Sequence, residues 1–545
     1  MDNQVSNLIL VEGDSKLNLS LSIAVKVALD KLAYAHGASW DPELVCLPGT
    51  RTDILSVIVA WSRSLDSQNV FWLAGVAGSG KSAIAHTIAK MLHEDGLLAS
   101  SFFFNREFDS RNTVQLLFST IARDIAARHP IIAADISTAL EDDPALATAS
   151  LARQFDAFIA KPLRRHKFDQ PIVVVIDALD EGVQDDSGFS LLSLFRDKVA
   201  KLAPQLRVLI TSRPTRNITQ YLSEQDHIAS HTMAVDSPEN RQDIETYIDT
   251  QVRDMTIAVH MGSPWPDEAL VRDLKVLAEG LFIWIVTIFA YLRSAHKPRE
   301  KLRALLSNSD VSGVLSPRKK MDALYAAILE ACGDWDDPDF RADYVMFIGA
   351  IMAAKRPLSL GALHALHGDT QEMAPEHLLQ RFGSVLLGLN GEGETIRILH
   401  LSFREFITDR ADRSQLTQKF YISEKAHSDR LAKLCLQTMV REITSAGISG
   451  TGYLLKDVND GPGIPEVTGV PEQLLYSSEY WIDHISDIED GNIAICEVLR
   501  EFLTHHNTLW MEIVSSRSVF RGSMAAWRWS EVSIYSEYTS LKKLI

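Results

Sequence analysis

Residues 75–82 read GVAGSGKS, and the fold turns on this octapeptide. It satisfies the spacing G-x-x-x-x-G-K-[ST], with Gly75 and Gly80 as the spaced glycines, Gly78 and Ser79 between them, and Lys81 and Ser82 closing it. Glycines tolerate positive φ, so successive backbone N–H groups can converge on one point, and such a point attracts phosphate. Lys81 supplies a mobile cation for the outer phosphates, and the Ser82 hydroxyl is a hard oxygen suited to Mg2+. The motif has chemical meaning only between a strand and a helix. VFWLA (70–74) precedes it and SAIAHTIAKML (82–92) follows, which is that context.

Working outward, short β-rich apolar runs alternate with helical spacing, the pattern of a mainly parallel sheet covered on both faces. The runs are Val70–Ala74, Ser101–Phe104, Ile172–Ile176, Arg207–Thr211 and His231–Val235. Helices are predicted around 83–93, 113–128, 151–165 and 189–202. The third run sits in PIVVVIDALDEG, where five apolar residues end at Asp177, followed by Asp180 and Glu181. A carboxylate at the C-terminal end of a buried strand can hold Mg2+ or its water, which assigns Asp177 and Ser82 as metal residues. Asp180 and Glu181 lie where a carboxylate positions or deprotonates the attacking water. RVLITSRP ends the fourth run, placing Arg213 to read a γ-phosphate and Thr211 or Ser212 to hydrogen-bond to that phosphate or to the water. The predicted catalytic set is therefore Asp180, Glu181 and Arg213.

Beyond Val235 strands largely stop. SPENRQDIETYIDTQV opens with a serine cap and a proline at the first helical position, and helical text continues to about residue 310. SNSDVSGVLSPRK reads as a linker, ETIRILHLSF as a small hairpin or wing, and LKDVNDGPGIPEVTGVPEQ as a loop in a helix-rich end. The expected division is a helical extension (1–45), an α/β NTPase domain (46–240), a helical domain (241–317), a winged-helix-like domain (318–412) and a helix-rich region (413–545).

Composition narrows the classes. At 545 residues and 46% apolar content the chain can fill several cores. A net charge of -17 opposes general nucleic-acid binding, which needs a positive field, and the basic run KPLRRHK (161–167) reads as the solvated end of a helix. The four cysteines are too far apart for close metal pairs and fit a reducing, cytoplasmic setting. GLFIWIVTIFAYL (280–292) falls short of the about 20 residues a bilayer span needs. Trp481 and Trp510 read as core anchors, and His505 and His506 as neighbours pointing in different directions.

The combination of CLPGTRTDIL, VFWLAGVAGSGKSAIAHTIA, SFFFNR, VVVIDALDEG and LRVLITSRP, supported by AEGLFIWI and LHLSFREFI, resembles the NACHT family of STAND P-loop ATPases. It is similar above all to the fungal type related to the N-terminal NTPase of nephrocystin-3-like proteins. The resemblance implies an α/β P-loop NTPase followed by helical and winged-helix-like domains. It also implies Mg2+-dependent ATP/ADP binding and slow hydrolysis. The closed form would be held by ADP and the ATP form would self-associate, in signalling, innate immunity or fungal non-self recognition. A protein or ligand trigger is implied. His400, in HLSFREF, matches the histidine that contacts the β-phosphate in related receptors. Two features depart from the family. Gly280–Phe282 stands where many relatives place a proline against adenine, and no repeat sensor is visible. Two other classes remain open on the sequence: a metabolic P-loop kinase or phosphotransferase with its acceptor near Arg106 or Glu107, and a nucleotide-binding scaffold without hydrolysis.

Overall fold

The computed structural model describes residues 25–516 apart from 109, 184–185, 279, 308–315, 369–374, 390–392, 453–465 and 488–492. Most of the linker expected at 307–319, much of the loop expected at 455–473 and most of the N-terminal extension lie outside the described residues. The chain forms two compact units. One comprises residues 1–254 and 271–285, the other 255–270 and 286–545.

In the first unit, β1 (Val70–Ala74), β2 (Leu98–Phe103), β3 (Ile172–Asp177), β4 (Leu206–Ser212) and β5 (Ile228–Thr232) form one sheet in the order β2-β3-β4-β1-β5. Every pairing is parallel, with Val70 opposite Val208 on one side and Ile228 on the other. Side chains alternate across a strand, so each run feeds two cores. Val70, Trp72, Val174, Ile176, Val208 and Ile210 pack on one face against α3 (Leu117–Arg128), α4 (Pro130–Asp142) and α5 (Asp186–Asp197). Phe71, Leu73, Val173, Val175 and Leu209 pack on the other against α1 (Thr52–Arg63) and α2 (Lys81–Glu94). In α2, Ile84, Ile88 and Leu92 recur every four residues and point at the sheet, each burial being worth about 1.5–3 kcal/mol.

β1, β3 and β4 stand where the apolar runs predict them, while β2 begins three residues early and β5 spans Ile228–Thr232 instead of His231–Val235. Parallel pairing with β1 sets that last register, and Met233 continues past it, its N–H donating to the Ala74 carbonyl at 2.8 Å. Because β1 and β3 are separated by β4, and the connections from β1 to β2 and from β4 to β5 run to opposite edges of the sheet, a crevice opens at the C-terminal strand ends. That crevice is where Gly75–Ser82, Asp177–Glu181 and Arg213 emerge.

The second unit is mainly helical. Pro317–Cys332, Pro338–Ala353 and Leu360–His367 lead to a two-stranded antiparallel hairpin, Leu386–Leu387 with Arg397–Ile398. Glu424–Glu442 then packs against Glu472–Ser486. Asp337, Ser359 and Ser423 cap their helices by accepting N–H bonds from the first turn. Trp481 and Trp510 are buried with their rings 5.7 Å apart in a T-shape beside Phe502, as expected of core anchors. Among the described residues no helix is long and apolar enough to cross a membrane, and no His, Cys, Asp and Glu group could hold a metal ion by itself.

Candidate functional site: the phosphate loop and its acids

The loop after β1 is held from behind. Gly75 donates its N–H to the Ser212 carbonyl at 3.2 Å, continuing the strand for one residue. A side chain there would lie 2.8 Å from Ser79 Oγ and 3.2 Å from Met233 Cβ. Gly78 and Gly80 adopt φ of +75° and +93°, the left-handed region that favours glycine. The Lys81 ammonium donates to the carbonyls of Gly75 (2.9 Å) and Val76 (3.0 Å). Ile283 N–H donates to the Gly78 carbonyl at 3.1 Å, Arg51 Nη2 to the Ser79 carbonyl at 2.7 Å, and Ile84 N–H to the Gly80 carbonyl at 3.1 Å. Five of the loop's carbonyls, those of Gly75, Val76, Gly78, Ser79 and Gly80, are thus taken, whereas the N–H groups of Gly80 and Lys81 have no partner among the described residues. These donors stand at the N-terminus of α2, where the helix dipole adds partial positive charge.

Acids face this loop from β3. Asp177 is the last residue of the strand and is buried; Thr211 donates its hydroxyl to Asp177 Oδ1 at 2.5 Å, and the Ser82 hydroxyl lies near enough to favour the charged carboxylate. Burial pushes the Asp177 carboxyl above the usual range, against the pull of those hydroxyls and of Lys81. Ala178 then turns through a left-handed φ of 53°, its N–H donating to Thr211 Oγ1, and this bend delivers Asp180 and Glu181 to the crevice. A left-handed alanine costs about 1 kcal/mol or more and persists only where its surroundings impose it. Asp180 accepts Arg213 N–H at 2.9 Å and pairs with its guanidinium at 3.3 Å. Glu181 Oε2 accepts the Arg106 N–H at 3.1 Å. Burial, then the Asp180 charge, pushes the Glu181 carboxyl up to about 7, with Arg106 pulling the other way. Burial holds Lys81 below the ordinary lysine value, while Asp180 and Asp177 oppose the shift.

A glycine loop between a parallel strand and a helix, opposed by a strand-end aspartate that faces the loop lysine and serine, leaves one reading of the architecture. The core is a P-loop NTPase fold. Within it, residues 49–213 match the family described as Nephrocystin 3, N-terminal, which is less than a third of the chain. No curated protein matches the sequence. Among solved structures, a chain of Drosophila ORC bound to DNA is 13% identical, with 68% of this chain and 95% of that chain covered and a TM-score of 0.30. Cdc6p from Pyrobaculum aerophilum is 12% identical, with 70% and 98% covered and a TM-score of 0.27. At these scores neither likeness bears on what the P-loop NTPase core does here.

Gly75, Gly78, Ser79, Gly80, Lys81, Ser82, Asp177, Asp180, Glu181 and Arg213 all belong to the first unit, and the structure brings the charged ones within electrostatic reach of Lys81. His400 belongs to the second unit, where its Nδ1 accepts the Ser402 N–H at 3.1 Å and caps the helix starting at Leu401. Two expectations are corrected. The Thr211 hydroxyl is spent on Asp177 and the Ser212 hydroxyl accepts the Trp72 indole N–H at 2.8 Å; both side chains are fully buried, so neither is presented to a phosphate or a water. Sequence reasoning also passed over Arg51. Its local signal is an arginine in the cap position of α1, with φ of 60° and no side-chain cap bond, where serine, threonine or aspartate is usual.

Proposed function

We propose that this chain is a regulatory NTPase of the NACHT type, which binds ATP and ADP with Mg2+, hydrolyses ATP slowly and uses the nucleotide state to switch between closed and self-associating forms in signalling, including fungal non-self recognition. The observation that carries the reading is the loop whose Gly75, Val76, Gly78, Ser79 and Gly80 carbonyls are tied back while the N–H groups of Gly80 and Lys81 stand at the start of α2 for an anion. Such a cradle needs little reorganisation on binding. Lys81 would exchange two neutral carbonyls for phosphate oxygens, a stronger, charge-assisted bond. A cavity of about 520 Å³ in the same unit, lined by Arg51, Thr52, His231, Met233, Asn240 and Asp243, has the capacity for a nucleoside.

Ser82 and Asp177 offer hard oxygens and fit Mg2+, which would neutralise phosphate charge where it binds. Glu181, held by Arg106 N–H, is the residue suited to take a proton from the attacking water. Arg213, its Nε steadied by Asp180, carries Nη donors suited to a γ-phosphate. His400 retains the role that the family resemblance assigns it, contact with the β-phosphate in the closed form. The test is the identity and stoichiometry of nucleotide released on denaturing freshly purified protein, beside Lys81→Ala. Near one ADP per wild-type chain and little in the variant supports the switch, and faster ADP release from His400→Ala supports the histidine contact. Equal nucleotide binding by wild type and Lys81→Ala refutes the cradle.

A further inference from the structure

Arg51 is 8% exposed, far from where an arginine normally sits, and three groups account for it. Its Nη2 donates to the Ser79 carbonyl at 2.7 Å. Asp243, on α6 (Pro238–Val252), accepts the Arg51 backbone N–H at 3.1 Å through Oδ1 and places Oδ2 3.8 Å from Nη1. The Phe282 ring lies 4.5 Å from the guanidinium carbon, a cation–π contact. The residue is also held in the left-handed region at φ 60°, a conformation an arginine leaves unless its surroundings fix it.

We propose that Arg51 is the positioning residue of the phosphate loop: by holding the Ser79 carbonyl at the rear, it turns the Gly80 N–H into the cradle. The geometry follows from the planar trans peptide, in which the C=O of one residue and the N–H of the next point in opposite directions. Ser79 and Gly80 share one such plane, so the rear bond to Arg51 sets the direction of the front donor. The neighbouring carbonyl of Gly78 is fixed separately, by Ile283 N–H. Gly80 is the residue of the loop with the widest positive φ, +93°, and it has no side chain to hold the plane itself. Arg51 is therefore a residue 28 positions away in sequence that orders a donor through the carbonyl behind it. Asp243 and Phe282 in turn hold its guanidinium.

The proposal rests on the nucleotide-binding reading, and its test separates the two. After stripping any nucleotide that co-purifies, titrate MgADP into wild type, Lys81→Ala, Arg51→Met, Arg51→Lys and Asp243→Asn, reading dissociation constant and stoichiometry, and measure KM and kcat for MgATP. Arg51→Met is expected to weaken MgADP about 10-fold or more at unchanged stoichiometry, the loss of one buried charge-assisted bond. KM should rise with kcat nearly unchanged, since ground and transition states lose the same donor. Arg51→Lys keeps a charge but not the fork and should recover part of the loss. If Arg51→Met does not fold, Asp243→Asn is decisive, because it leaves the bond to Ser79 while loosening its orientation. Reduced stoichiometry at the wild-type dissociation constant would mean a merely structural residue and overturn the proposal. So would wild-type affinity in Arg51→Met or, where that variant does not fold, in Asp243→Asn. Loss in Lys81→Ala alone overturns only the role of Arg51; absence of binding by wild type overturns both readings.

Discussion

Gly78→Ala tests how the loop is built. Two costs add at this position. Gly78 has a φ of +75°, which costs an L-residue about 1–2 kcal/mol. Its new Cβ would also lie 2.0 Å from Ile283 Cγ2 and 2.7 Å from Ile283 Cβ, an overlap that forces movement at about 1–3 kcal/mol. Gly96 supplies the control, since it has a φ of +74° and nothing within 4 Å of the added carbon. Gly96→Ala should therefore show the conformational cost alone. For a folding unit of this size, about 2–4 °C per kcal/mol puts the thermal midpoint of Gly78→Ala a further 2–12 °C or so below that of Gly96→Ala. The function should divide in the same way. Moving Ile283 weakens its bond to the Gly78 carbonyl and with it MgADP binding, whereas Gly96, beyond the end of α2, should leave binding unchanged. Scanning calorimetry and MgADP titration of both variants read the two effects. Coincident midpoints with equal affinities would refute the reasoning, and the double variant Gly78→Ala with Ile283→Ala should lose less than the sum of its parts.

Three more outcomes are expected. Glu181→Gln should bind MgATP as wild type does while single-turnover hydrolysis falls about 10²–10⁴-fold; an unchanged rate moves the proton acceptor to Asp180. The same carboxyl, raised to about 7, is protonated and inactive below that value, so wild-type hydrolysis should rise with pH through about 7 and level off above it, a limb that Glu181→Gln should lack. Asp180, Asp177, Arg106 and Lys81 share its field, so neutralising Arg106, which lowers this value, should move the limb to higher pH. Thr211→Val takes the donor from Asp177 and the acceptor from Ala178 N–H, and two buried groups left unpaired cost about 1–3 kcal/mol each; a midpoint equal to wild type would show that these bonds do not stabilise the core.

What the sequence made legible was whatever periodicity or spacing encodes. IVVVID gave β3 and its terminal aspartate because a strand buried on both faces reads as a continuous apolar run. GVAGSGKS gave the loop because the constraint is on backbone conformation, which glycine reports directly. β5 was misplaced because an edge strand with mostly exposed side chains lacks that run, and MAV just beyond it does not. The hydroxyls of Thr211 and Ser212 were misassigned because the strand end alone does not say whether a side chain meets solvent or a neighbour; here Asp177 and Trp72 took them. The bonds of Arg51, Arg106 and Ile283 were missed for another reason. They act through one backbone group each, across separations from 28 to 205 residues, and no local pattern records such a bond.

The bond from Ile283 to Gly78 has a bearing on how the chain can be divided. The stretch that matches the family model stops at residue 213, yet Asp243, Phe282 and Ile283 all press on the same loop or on the arginine behind it. Gly280 is seated so closely, its hypothetical side chain 1.6 Å from the Val235 carbonyl, that this segment has one way to dock. A ribosome releasing residue 213 has therefore finished the portion that matches the family model but not the working one. Protein cut there should carry every residue of the motif and still hold it slackly, whereas extension to residue 285 supplies the missing restraints.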